Sequence, residues 1–300
     1  MKRIFLFLAT NIAVLAVITV LVHLLGFDHW LTARGINYGA LLGFSLVVGF
    51  SGSFISLAIS KWIAIHSYGI HVIREPADQS ERWLHETIQE LARRAGIGMP
   101  DIGVYESDEV NAFATGARRN SALVAVSTGL LRRMQSGEVE GVLAHEIAHI
   151  ANGDMVTMTL LQGVLNTFVV FLSRVIGYAL DMVLRRDNDR GGLGLGYFIG
   201  SFVTQILLGI FASMIVMAYS RRREFRADAM GAQLAGKPEM IGALRRLKQV
   251  MEGGGVIDDR AASLSAFKIS NKPGHNGLMG LFASHPPLET RIAALEQLKV

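Results

Sequence analysis

Four runs without a charged side chain dominate this chain: Ile4–Leu25, Tyr38–Ser60, Met155–Ser173 and Gly191–Ser220. A bilayer-spanning helix needs about 20 apolar residues, and in hydrocarbon every backbone N–H and C=O must be bonded within its own segment. The runs therefore read as membrane helices paired into two hairpins. No small-x-small site follows Leu25, so the first run reads as an uncleaved anchor rather than a signal peptide. Tyr38–Ser60 is rich in Gly and Ser, which lets helices approach closely. Arg174 interrupts the third run, at a cost of about 2.5–3.5 kcal/mol if held at mid-membrane. That span requires Arg174 to snorkel towards a surface. Asp181 to Arg190 reads as the polar loop of the second hairpin.

Lys2 and Arg3 precede the first hairpin and Lys61 and Arg74 follow it, while its loop holds only Arg34. The positive-inside rule puts both ends in the cytoplasm. Whether the second hairpin crosses twice or lies embedded, parity returns the chain after Ser220 to the side it left. The expected organisation is an N-terminal hairpin over 1–60, soluble sequence over 61–155, a second hairpin over 156–220 and soluble sequence over 221–300. Apolar residues make up 51 % of the chain and the net charge is only +4, without a basic stripe interleaved with aromatics, so a nucleic-acid partner is not expected. The chain has no cysteine, which excludes disulfide and thiol chemistry and leaves histidine and carboxylates as metal ligands.

In the soluble parts, Trp83, Leu84, Ile88, Leu91 and Ala92 keep helical spacing behind Ser80 as cap. Asp101–Glu106 and Ala122–Ser127 read as strands, Leu130–Met134 as a short helix, and Ser136 as the cap of the next one. That helix carries His145-Glu146-Ile147-Ala148-His149. At 3.6 residues per turn the two histidines share a face and can reach one metal ion, with Glu146 facing a water on it as general base. Val139, Leu143, Ile147 and Ile150 form a separate core stripe, so packing and chemistry do not compete for positions. Far along the chain, Glu224 and Asp228 sit one turn apart. Glu224 can complete a set of two histidines and one carboxylate, and Asp228 can accept from the outer ring nitrogen of a ligand histidine. Their alternative is a surface helix salt-bridged by its own arginines. Pro238 opens an amphipathic helix, Glu252–Asn276 reads as a surface loop or flap, and a short helix from about Leu288 to Leu298 closes the chain.

Two further segments have two readings each. Asn111-Ala112-Phe113-Ala114 is either a strand end and turn, or an extended edge that pairs its backbone with a peptide. His285, held extended before Pro286-Pro287, either donates to a developing oxyanion or caps the last helix.

Taken in order, Asn111-Ala-Phe-Ala, His145-Glu-x-x-His149, Glu224-x-x-x-Asp228 and Ser284-His285-Pro-Pro, with hydrophobic hairpins between them, resemble the HtpX family. These are bacterial membrane zinc metalloproteases related to the eukaryotic prenyl-protein (CAAX) protease. The resemblance covers essentially the whole chain. It implies an α+β, mainly helical architecture: a zincin-like (gluzincin) catalytic domain with two transmembrane helical hairpins, in the bacterial inner membrane and facing the cytoplasm. It also implies one Zn2+ on His145, His149 and Glu224, with Glu146 as base and His285 as a further site residue. Asn111 to Ala114 then corresponds to a substrate-binding edge strand, and the substrates are misfolded or damaged membrane proteins. Asn152 and Met155 stand where a metzincin has glycine and histidine, which excludes that branch. A catalytically silent scaffold would not need Glu146. A zinc hydrolase of another bond would share the ligands, and a prenyl-peptide protease would be expected to carry more spans.

Overall fold

The structure is a computed structural model that describes residues 38–184, 193–253 and 281–299. The run Ile4–Leu25, the loop around Arg34, most of the second hairpin's loop and the expected flap after Gly253 lie outside the described residues. Among the described residues, three helices are long and apolar enough to cross a membrane: α1 (Tyr38–Tyr68), α5 (Asp154–Leu184) and α6 (Leu195–Leu234). Between and after them come β1 (His71–Ile73), α2 (Gln79–Arg94), β2 (Asp101–Tyr105), β3 (Ala112–Thr115), β4 (Leu123–Ser127), α3 (Thr128–Arg133), α4 (Ser136–Asn152), α7 (Lys237–Glu252) and α8 (Leu288–Gln297). The chain divides into two compact units, one drawn from residues 1–56 and 159–216 and the other from 57–158 and 217–300.

In the first unit, small residues set how closely helices meet. A Cβ at Gly49 would stand 2.5 Å from the backbone nitrogen of Thr167, so α1 and α5 touch backbone to backbone there. α5 runs unbroken through Arg174, whose guanidinium lies 5.9 Å from the centre of the Tyr197 ring. Asp181 is not in a loop as expected. It is buried within α5 and accepts from the backbone N–H groups of Gly194 (3.0 Å) and Tyr197 (3.2 Å). The first N–H groups of a helix have no partner within it, and this carboxylate supplies one for α6.

The second unit is built on a four-stranded sheet in the order β1-β2-β4-β3, with β2 and β4 parallel and both outer pairs antiparallel. Successive side chains of a strand point to opposite faces, and β4 is buried on both. Val124 and Val126 join the main core with Ile88 and Leu91 of α2, Leu143 and Ile147 of α4 and Leu244 and Leu247 of α7. Leu123 and Ala125 face a smaller cluster of Ala64, Tyr68, Tyr105 and Phe113. Strand β1 was not foreseen, since three residues show no period. Asn111–Ala114 is more than a strand end and turn: Ala112–Thr115 forms a full edge strand, paired among the described residues with β4 alone.

The caps differ from expectation by one or two residues. Asp78, not Ser80, caps α2 by accepting from the N–H of Glu81 at 2.8 Å. Gln135, not Ser136, caps α4 in a reciprocal box in which the Gln135 N–H donates to Glu138 at 2.8 Å. In both cases two polar residues compete near the same helix start, and the one just outside the first turn has the extended backbone that capping requires.

Helix α4 is locked against α7 at Gly141, where a Cβ would stand 2.5 Å from the Glu239 carbonyl oxygen and 2.8 Å from its carbon. Alanine favours a helix interior over glycine by about 1 kcal/mol. Overpacking against a backbone that cannot rotate away costs about 1–3 kcal/mol. Clash should win: Gly141→Ala is expected to lower the melting temperature of the purified protein, and a raised one would show that the two helices part freely.

Candidate metal centre

Helix α4 brings His145 and His149 one turn apart, with ring centres 4.6 Å from each other. Every residue from Val142 to Ile150 on this helix is buried, Glu146 among them. The helix ends at Gly153 in the left-handed conformation (φ 67°), a shape glycine adopts without penalty, and α5 begins at the next residue. The third ligand candidate comes from α6, a single helix of 40 residues. At 1.5 Å per residue it is roughly 60 Å long, twice the roughly 30 Å of a hydrocarbon core. Its apolar part therefore continues without a break into the segment that carries Glu224 and Asp228.

These elements bring one atom each of His145, His149 and Glu224 within 4.8 Å of one another, all three residues buried. The two Nε2 atoms face each other at 3.1 Å. Each lies 3.4 Å from an oxygen of Glu224, Oε2 for His145 and Oε1 for His149. The outer ring nitrogens are held by carboxylates. His149 Nδ1 donates to Asp154 at 2.6 Å, and His145 Nδ1 lies 2.9 Å from Asp228. A ring whose Nδ1–H is engaged presents the lone pair of Nε2 inward, as a metal ligand must.

Charge in the site follows from these contacts. Burial alone would favour neutral rings, but Asp228 and Glu224 outweigh it at His145 and push its pKa up to about 9. At His149 burial is likewise outweighed, chiefly by Glu224, and the pKa rises. Burial opposes charge on Glu224, yet His285 and His149 hold its carboxyl well below the usual range. Burial also opposes charge on Asp228, which Arg291 holds down at about 2. The site is thus built for positive charge between the two rings, and Glu224 Oε1 is buried without a hydrogen-bond partner among the described residues. A donor set of two imidazoles and one carboxylate with that demand fits a divalent cation such as zinc.

His285 is buried, and its Nδ1 bonds Glu224 Oε2 at 2.7 Å. It does not cap the closing helix, whose first residues follow Pro287 with no side-chain cap. Among the described residues its Nε2 is a buried nitrogen without a hydrogen-bond partner, as is Nδ2 of Asn111 just before the edge strand. Two residues of the site escaped the sequence reading. Asp154 reads locally as a helix end, but the left-handed turn at Gly153 swings its carboxylate back onto His149. Arg291 is fully buried and grips Asp228 with two bonds, Nε at 2.8 Å and Nη2 at 2.6 Å. Its signal was present: it stands in the apolar stripe of α8, between the buried Leu288 and Leu295.

Residues 78–299 match the model of peptidase family M48. The chain belongs to peptidase family M48. This M48 chain is 60 % identical over 298 residues to a protease HtpX homolog of Methylacidiphilum infernorum, covering 99 % of both chains. It is 54 % identical to protease HtpX of Hydrogenovibrio crunogenus, covering 100 % of both. Its fold is similar to the crystal structure of S. mikatae Ste24p, with a TM-score of 0.67 at 21 % identity over 98 % of this chain. The chain spans 66 % of that structure's length. The HtpX-like resemblance and the mainly helical, zincin-like class expected from the sequence hold, and this M48 chain is a membrane metalloprotease.

Proposed function

We propose that this chain is a zinc-dependent endopeptidase of the bacterial cytoplasmic membrane that removes misfolded or damaged membrane proteins, its site facing the cytoplasm. The observation that carries the reading is the convergence of His145, His149 and Glu224 on the continuation of an apolar helix. His145, His149 and Glu224 would hold the zinc, and Asp228 and Asp154 fix the two rings for that task. Zinc bound there supplies a Lewis acid that activates water and polarises a peptide carbonyl. Glu146, next to His145 on the same buried helix, takes the proton of the attacking water and delivers it to the leaving amine. His285, oriented by Glu224, presents Nε2 as a donor to the developing oxyanion.

The side of β3 that pairs with no strand among the described residues supports a peptide-binding role. Ala112 and Phe113 are buried in the two cores, so a substrate strand added there would be read through its backbone and through Asn111 Nδ2. The cytoplasmic orientation rests on the basic residues that follow the second and fourth uncharged runs, Lys61 and Arg221 to Arg223, and on Lys2 and Arg3 ahead of the first.

The test uses full-length protein reconstituted in vesicles with a membrane protein and a destabilised variant of it. Cleavage is expected to be faster for the destabilised form, to stop when a chelator strips the metal, and to return with zinc. Equal cleavage of both forms would remove the quality-control reading, and full activity after metal removal would remove the zinc mechanism.

A further inference from the structure

The turn between β3 and β4, residues 117–121, is exposed and carries Arg118 and Arg119. Neither has an ion-pair partner among the described residues, whereas most other arginines of this unit do. This turn lies beside two points where uncharged runs of apolar helices begin or end. The Lys61 ammonium, one residue past the uncharged run of α1, donates to the carbonyl oxygen of Ser121 at 3.0 Å. Lys61 is itself neutralised by Asp101 at 2.5 Å, so it anchors the turn rather than adding free charge. Beside it Trp62 is 63 % exposed, an aromatic of the kind that settles at headgroup depth. On the other side, a Cβ at Gly153 would lie 3.3 Å from Nη2 of Arg119, and the uncharged run of α5 starts two residues later. Arg226, 3.6 Å from Asp154, adds a further exposed cation at the same boundary.

We propose that Arg118 and Arg119 form a binding site for the phosphate of anionic phospholipid headgroups, anchored at the bilayer surface by Lys61, with Arg119 beside the Gly153 turn. Their chemistry suits it: guanidinium groups bind phosphate in a fork, and each cation near an anionic leaflet adds attraction. The peptidase reading is not needed for this, only that α1 and α5 are membrane helices. The same turn ends the edge strand β3, so a bound headgroup fixes that edge at the membrane surface, where cytoplasmic loops of membrane proteins emerge.

The experiment is equilibrium binding of fluorophore-labelled phosphatidylglycerol to full-length protein in neutral detergent micelles, beside labelled phosphatidylcholine. Wild type should prefer the anionic lipid, and added salt should weaken the preference. Each arginine-to-glutamine change should weaken binding roughly fivefold, so Arg118→Gln with Arg119→Gln loses about 25-fold. Arg118→Lys with Arg119→Lys keeps the charge but not the fork, so it should recover part of the loss, which a purely structural guanidinium would not. Arg118→Gln alone, remote from Gly153, guards against misfolding of the double variant. Undiminished anionic-lipid binding by the glutamine variants, or equal binding of the neutral lipid by wild type, overturns the site. Because binding is read rather than proteolysis, that failure would leave the peptidase reading standing.

Discussion

Glu146→Gln is expected to keep its metal and lose peptidase turnover by about 10²–10⁴-fold, the usual worth of a positioned general base. Glutamine has the shape of glutamate, so the buried face of α4 keeps its volume and the helix its packing. The three candidate ligands and the carboxylates behind them are untouched, so zinc per chain should match wild type. What disappears is the capacity to accept a proton, since an amide oxygen is far less basic than a carboxylate. Glu224→Ala makes the contrast, because it removes a ligand and should lower zinc content as well as turnover. Metal analysis and single-turnover cleavage of a peptide, run on the same preparations, separate the two. Turnover near wild type in Glu146→Gln would sink the assignment of the base.

Much of this site is legible in the sequence because its geometry is local. His145 and His149 are one turn apart on one helix, and so are Glu224 and Asp228. What joins the two helices is not local, and only the parity of the apolar hairpins suggests that Glu224 comes back to His145. Asp154 and Arg291 fail both routes. Asp154 lies five residues past His149, outside helical spacing, and acts only because Gly153 turns the chain. Arg291 meets Asp228 and Glu224 from the last helix, and an arginine near the end of a chain reads as surface unless its place in an apolar stripe is given weight. The same limit explains β1, which exists because β2 offers it a ladder and not because His71–Ile73 has a pattern of its own.

Arg291→Met should be among the most destabilising single changes in the catalytic unit. Arg291 is fully buried, and its guanidinium holds Asp228 by two bonds and lies 3.6 Å from Glu224. Burial by itself would drive that proton off, and the carboxylates reverse this and raise its pKa above the ordinary arginine value. Removing one partner of such a pair leaves a carboxylate uncompensated in the interior, at about 3–5 kcal/mol. For a domain of this size that corresponds to a fall in melting temperature on the order of 10 °C. Arg291→Lys keeps the charge but not the planar fork, so it should recover only part of the loss. Adding Asp228→Asn to Arg291→Met removes the stranded charge, and the double variant should be more stable than the sum of the single changes requires. Metal binding gives the second readout. Asp228 orients His145, so Arg291→Met should weaken zinc affinity by about 10–100-fold even where the fold survives. A variant that melts as wild type does and holds zinc equally well would show that Asp228 needs no counter-charge. In that case His145 would be positioned by α4 alone.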